Sequence, residues 1–321
     1  GPPRYTMYMF PADFQKGEVA GAMIRGEGYT PGGGGSTVYL NAEGILDDAL
    51  DSTLVAEFND LDSVTALFQA YPDQIAAIIL EPVPHNVGAL LPDQAFLEGL
   101  RELATSEGSI LIFDEVITGF RHAPGGYQEL CGITPDLTSY GKAMGNGFPV
   151  AGMGGRADLM SRFSSAGGDV VLAGTFNGNP VSMAAAIETM TLITDPDVGF
   201  HAHSARLGER MRDGLREITG RLGIPATITG LGSVFICYFM DGQIKGYRDL
   251  LRNNDTAYAT FHRRMTDAGF VMYPMTLKRN HISGAHSDGL AFHGAHEGAR
   301  HDRGEKDKLH GVSLVFACLV N

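Results

Sequence analysis

The sequence predicts an α/β protein: a large domain on a mostly parallel sheet, followed by a smaller α/β domain. Three observations predict it. Apolar runs short enough for buried strands alternate with amphipathic segments of helical period. The order strand, helix, strand over residues 75–113 requires a crossover connection, which makes those two strands parallel. Beyond Ile224-Pro225 the pattern changes and a second, shorter set of strands and helices begins. The expected division is residues 1–50 as a divergent or poorly ordered N-terminal region, 51–223 as the large, ligand-binding domain, 224–287 as the small C-terminal α/β domain and 288–321 as a divergent tail.

Residues 1–50 are rich in Gly and Pro, and Pro31–Gly35 (PGGGG) favours a mobile loop because each glycine has much backbone freedom to lose. Asn59 or Asp60 caps a short helix over Ser63–Ala70, which leads into a strand, Ile75–Leu80, and a turn-rich segment, Glu81–Gly88. Pro92 opens a helix with Phe96, Leu97, Leu100 and Leu103 as its apolar stripe. Ser109–Phe113 then reads as a buried strand ending at the acids Asp114 and Glu115. Further strands are expected at Asp136–Tyr140 and Val150–Gly154, on either side of a glycine-rich turn that holds Lys142. Pro180 starts a helix over Val181–Ile193, and Leu207, Met211, Leu215 and Ile218 mark one face of a longer helix over Ala205–Ile218. In the second set, Ser233–Phe239 and Phe270–Tyr273 read as strands and Thr256–Thr266 as a helix.

Composition excludes several classes. With 44% hydrophobic and 19% charged residues the chain is neither disordered nor fibrous, and 321 residues suffice for a sizeable core. A formal charge of -13, from 24 Lys and Arg against 37 Asp and Glu, repels a nucleic-acid backbone. The apolar runs Ile75–Leu80 and Val312–Val320 fall far below the roughly 20 residues of a membrane-crossing helix. The start lacks the basic residues and apolar run of a signal peptide, so a soluble, cytoplasmic protein is expected. Cys131, Cys237 and Cys318 have neither metal nor disulfide spacing, which agrees with a reducing compartment. The tail histidines His293, His296, His301 and His310 lack any pattern that fixes a geometry, and no metal site is expected.

Chemistry is expected beyond the carboxyl ends of the parallel strands. Asp114 stands at such an end, where a buried acid needs a cation or a hydrogen-bond network. Lys142, after Ser139-Tyr140-Gly141, can reach the same region, and a plain ion pair between the two is the structural alternative. Glu115 and Arg121 are expected as structural ions or helix-end contacts and not as catalytic groups. Gly152-Met153-Gly154-Gly155 lacks both dinucleotide and P-loop spacing, so no nucleotide is expected there.

Three segments in order carry a family resemblance. Leu111–Arg121 (LIFDEVITGFR) resembles the cofactor-ring motif of class III aminotransferases, Pro135–Lys142 (PDLTSYGK) their lysine motif, and Gly174–Pro180 (GTFNGNP) their later phosphate-contacting segment. Within that class the likeness leans toward the glutamate-1-semialdehyde 2,1-aminomutases and related transaminases. The resemblance implies a fold-type I architecture with a mostly parallel sheet of the seven-stranded type, pyridoxal 5'-phosphate as cofactor, amino acid and 2-oxo acid as substrates, and a homodimer. It implies that Lys142 forms the internal aldimine and moves the proton between substrate and cofactor, and that Asp114 keeps the pyridine nitrogen protonated. Val116 is implied to pack on the ring, Asn86 to lie beside the phenolic oxygen, and Thr175 to reach the phosphate of the neighbouring subunit. Apart from the resemblance, Thr175 reads as a loop hydroxyl and Asn86 as a turn residue.

The likeness runs over about residues 52–287. Residues 1–50 carry neither the phosphate turn nor the stacking aromatic of the family, and an unpatterned tail replaces the terminal helix. These departures make a truncated, non-catalytic relative the competing expectation. Where the aminomutases have a glutamate this chain has Lys278, which with Arg279 favours a substrate carboxylate over an ammonium. Lys278 is therefore the expected substrate-binding residue and transamination the expected reaction, with aminomutase activity as the alternative; a Lys278 turned to solvent is the structural reading.

Overall fold

A computed structural model describes residues 53–163, 166–171 and 174–288, together with the backbone of three strands before them. Those strands are β1 (Tyr5–Met9), β2 (Ala22–Gly26) and β3 (Ser36–Leu40); β1 and β2 pair antiparallel. The Pro31–Gly35 loop and the tail histidines lie outside the described residues.

The main sheet has six strands among the described residues, in the order β4-β3-β5-β6-β7-β8. They are β3, β4 (Thr53–Val55), β5 (Ile75–Leu80), β6 (Ile110–Glu115), β7 (Leu137–Tyr140) and β8 (Gly152–Gly155). All neighbours are parallel except β7 and β8. Helix α1 (Leu61–Ala70) starts at Asp60, whose Oδ1 accepts from Ser63 N. Of the two expected caps Asp60 takes the role, while Asn59 adopts positive φ and ties its side chain to Asp93 N and Leu91 O.

Helix α2 (Gln94–Ser106) is the crossover between β5 and β6. Phe96, Leu97, Leu100 and Ala104 form its buried stripe, and Leu103 packs at the margin. They meet Ile78 and Leu80 of β5 and Leu111 and Phe113 of β6, all of them fully or almost fully buried. Burying side chains of this size is worth about 1.5 to 3 kcal/mol each.

Past a short helix, α3 (Tyr127–Cys131), and β7, the chain makes a 3-10 turn (Lys142–Gly145). It then runs through β8, α4 (Ala157–Met160) and α5 (Pro180–Thr194). Asn179 caps α5, its Oδ1 accepting from Val181 N and Ser182 N, and the helix packs on the Lys142–Gly145 turn.

Helix α6 (Phe200–Arg221) covers a second sheet of order β11-β10-β9, antiparallel throughout: β9 (Thr227–Thr229), β10 (Val234–Tyr238) and β11 (Asn280–His281). Leu207, Met211 and Leu215 face it as expected. The contact also includes Gly208, which leaves no room for a Cβ against Gly232 O, and Arg212, whose Nη1 donates to Gly232 O and Val234 O at 2.8 and 2.7 Å. Helix α8 (Asp255–Asp267) adds Phe261 and Met265 to the same cluster, while α7 (Tyr247–Leu250) packs Leu250 with Ile236 and Tyr238 in a separate one.

The expected strand at Phe270–Tyr273 does not form. Its backbone groups are taken by side chains instead: Met272 O by His262 Nε2, Tyr273 N by Asn280 Oδ1 and Tyr273 O by Tyr258 Oη. An apolar run satisfied in this way has no ladder to join.

Candidate active site

The parallel strands β5, β6 and β7 end on one edge of the main sheet, and the register fixes which residues meet there. Leu80 pairs with Phe113, Asp114 with Ser139, and Glu115 with Tyr140. Glu81, one residue past Leu80, and Lys142, two past Tyr140, thus flank Asp114 on either side.

Asp114 is held on one oxygen. Its Oδ1 accepts from Val116 N at 3.0 Å and from Ser139 Oγ, across the ladder, at 3.1 Å. Its Oδ2 accepts no hydrogen bond among the described residues. Lys142 has a φ of 44°, in a region that costs a non-glycine residue about 1 to 3 kcal/mol. The residue is exposed and forms no ion pair among the described residues, so the plain Asp114–Lys142 ion pair is absent there. Partial desolvation and then the Arg279 guanidinium hold the Lys142 ammonium below its usual range, with Asp114 and Glu81 opposing.

Glu81 and Arg279 are the groups that sequence reasoning underweighted. Burial pushes the Glu81 carboxyl up from 4.5 to about 7, and Asp114 adds to the rise, while Arg279 and Lys142 oppose it. Its Oε2 is buried without a partner among the described residues. Arg279 Nη1 donates to Asn86 Oδ1 at 2.5 Å, and its buried Nε has no partner among the described residues. The rule that singled out Asp114, an acid at the carboxyl end of a parallel strand, applies equally to Glu81. Arg279 carried no separate signal beyond its place beside Lys278.

Val116 is half-buried, and a Cβ on Gly141 would lie 3.4 Å from its Cγ1, so the lysine turn runs close over it. Asn86 is drawn into the cluster by Arg279. Lys278 is half-buried, bonds through its backbone N to Met275 O, and its ammonium forms no hydrogen bond or ion pair among the described residues. Thr175 is exposed beside Phe176, itself 77% exposed, and is not brought to the Lys142 cluster within this chain.

Glu115 is fully buried and serves the scaffold, as expected. Its carboxylate accepts from Thr118 Oγ1, Tyr127 N, Gln128 N and Gln128 Nε2, which closes the loop from β6 onto α3. Gln128 Nε2 also reaches Tyr140 Oη at 2.9 Å, so one network fixes the ends of both β6 and β7. Among the described residues no helix is long and apolar enough to cross a membrane and no metal-binding group of His, Cys, Asp and Glu occurs.

A mostly parallel sheet with this connectivity places the protein among the fold-type I α/β transferases. The chain belongs to the class-III aminotransferase family, whose model matches residues 45–282. It is 40% identical over 245 residues to a glutamate-1-semialdehyde 2,1-aminomutase of Desulforudis audaxviator, covering 76% of this chain and 56% of that protein. Among solved structures it resembles an omega-transaminase of Sphaerobacter thermophilus, with a TM-score of 0.70 and 33% identity over 78% of this chain and 57% of the other. A β-phenylalanine aminotransferase of Variovorax paradoxus gives a TM-score of 0.72 and 28% identity over 81% of this chain and 62% of the other. The chain therefore spans little more than half the length of its curated relative.

The family depends on pyridoxal 5'-phosphate. The leftover bonding capacity at the strand ends fits that group. Among the described residues Asp114 Oδ2 has no donor and the Lys142 ammonium no partner, which leaves room for a ring N–H and an aldehyde carbon, and the close approach of Gly141 to Val116 leaves a narrow apolar wall.

Proposed function

We propose that this chain carries the catalytic scaffold of a pyridoxal-phosphate aminotransferase that moves an amino group between an amino acid and a 2-oxo acid. The observation that carries the reading is the meeting of Lys142, Asp114, Glu81 and Arg279 at the carboxyl edge of three adjoining strands. When bound, the cofactor supplies a reactive aldehyde carbon and a ring that accepts electrons. Lys142 provides the amine that holds that carbon and the base that carries a proton to and from the substrate, a role favoured by its lowered pKa. Asp114, oriented by Val116 N and Ser139 Oγ, holds the proton on the ring nitrogen through Oδ2. Val116 backs the ring, and Asn86 serves the phenolic-oxygen side as well as steadying Arg279.

Of the two adjacent cations proposed to favour a carboxylate, Arg279 is the receptor and Lys278 supports it from the rim. Arg279 keeps buried donor capacity unused, which a carboxylate satisfies in bidentate fashion. The working unit is proposed to be a homodimer. Along α5 and the segment before it, Phe176, Val181, Ile187 and Leu192 are each more than half exposed, an apolar surface suited to a second copy that would also bring Thr175 to the partner's phosphate site.

Aminomutase activity is the second reading, favoured by the 40% identity to an enzyme of that name. Incubating the chain with an amino donor, with and without a 2-oxo acid, separates the two. Product that requires the acceptor supports transamination, and conversion of an amino aldehyde without one supports the mutase. Lys142→Ala is expected to abolish both reactions and the visible absorbance of the lysine-bound cofactor; unchanged absorbance rejects the assignment of Lys142.

A further inference from the structure

Two histidines behind Asn86 make a bond that the proposed chemistry does not use. His85, fully buried in the turn after β5, and His122, in the loop after β6, meet Nε2 to Nε2 at 2.9 Å. Only one proton fits between two such nitrogens. In the neutral pair the accepting ring carries its hydrogen on Nδ1 and the donating ring leaves Nδ1 bare. Both Nδ1 atoms are buried and neither has a partner, so the Nε2 bond is the only polar restraint on either ring among the described residues. Desolvation comes first, followed for His85 by the cost of charging it beside His122 and Arg279 and for His122 by the Arg121 guanidinium, and together these keep both imidazoles well below their usual range.

The placement of the pair gives it leverage. His85 precedes Asn86, whose Oδ1 receives Arg279, and Gly88 N donates to Tyr238 Oη of β10 at 3.2 Å. Three residues of one turn are thereby pinned to the loop after β6, the segment before β11 and β10 itself. On the other side, His122 Nδ1 would lie 2.9 Å from a Cβ on Gly232, in the turn before β10, where φ is +52° and a side chain is doubly disfavoured. The pair thus joins the strand that carries Asp114, the turn that carries Asn86 and the second sheet.

We propose that the His85–His122 pair is a positioning device that sets the Arg279 guanidinium through Asn86 and so governs how tightly the site holds a substrate carboxylate. This rests on the reading of Arg279 as the carboxylate receptor. Neither histidine touches substrate; both act through Asn86.

The test is a calorimetric titration of the purified chain, loaded with pyridoxal phosphate, using butanoate and its uncharged analogue butanamide as probes. His122→Phe keeps a ring and removes the bond; it is expected to weaken butanoate about tenfold, the factor for losing one hydrogen bond's worth of restraint, and to leave butanamide within about twofold. His122→Gln, which can again meet His85 Nε2, is expected to recover most of the loss. His85→Asn, too short to reach His122, should match His122→Phe and stands in for it should the phenylalanine variant lose the parent's far-ultraviolet spectrum. Arg279→Met should abolish the preference for butanoate over butanamide. If Arg279→Met abolishes that preference while the histidine variants keep it, the positioning role is overturned and the Arg279 reading stands. If Arg279→Met keeps the parent's preference, or the parent has none, the Arg279 reading fails and this proposal with it.

Discussion

Replacing Glu81 by glutamine is expected to stabilise the chain, and by an amount that depends on pH. In the folded chain the carboxyl titrates at about 7, against 4.5 when exposed, because burial and the Asp114 charge both disfavour its ionised form. Between those values the folded state binds a proton that the unfolded state lacks. The contribution of this group to stability is therefore greatest below pH 4.5 and is lost as pH rises through 7. At about 1.36 kcal/mol per pH unit, with allowance for partial titration at both ends, the loss between pH 5 and pH 8 comes to about 2.5 kcal/mol. Glu81→Gln mimics the protonated carboxyl and should match the parent only well below pH 4.5, with an advantage of about 0.8 kcal/mol at pH 5. By pH 8 that advantage should have grown by about 2.5 kcal/mol in urea unfolding of the cofactor-free chain. The buried histidines have depressed values and destabilise the fold in the opposite direction as pH falls below 6.5, but they do so in both proteins and cancel in the difference. A stability difference that stays constant from pH 5 to pH 8 would refute the placement of Glu81 as a buried, charge-coupled acid.

Two further outcomes follow from groups away from the reacting atoms. Glu115→Ala strips a buried acceptor from Thr118 Oγ1, two backbone N–H groups and Gln128, and should cost on the order of 3 to 5 kcal/mol in thermal or urea unfolding; a loss below about 1 kcal/mol would contradict the network. Ile187→Asp places a charge on the exposed apolar face of α5, where Ile187 is 64% exposed, and should convert a dimer to a monomer in solution-mass measurements without changing the fold; an unchanged dimer would move the interface elsewhere.

The parts of the fold most legible in the sequence were those set by local rules. The Ile75–Leu80 and Ile110–Glu115 strands are apolar runs, α2 shows a helical stripe, and Pro180 marks the start of α5. The proposed roles of Asp114 and Lys142 came from strand-end position and family likeness together. Glu81 meets the same strand-end rule as Asp114 but lies outside the family motif that drew attention to Asp114, and its place beside Asp114 shows only in the register. Asn86 and Arg279 meet across 193 residues, and His85 and His122 across 37, separations over which no periodicity carries information. Phe270–Tyr273 misled for the converse reason: its apolar pattern suits a strand, but Tyr258, His262 and Asn280 claim its backbone first.

The reversal of β8 has a consequence for Lys142. Because β8 runs antiparallel to β7, the chain after the lysine does not depart through a crossover helix; it turns back and is bonded into the sheet again at Gly152. Lys142 thus sits on a short span tethered at both ends, with Met144 N bonded to Gly141 O and α5 packed across the turn. Under the proposed role, the amine has to release its bond and recover it in every turnover. A stem swinging from an anchored base searches a small volume and returns to the same place, so recapture becomes a local event fixed by backbone geometry instead of a search by a loose loop.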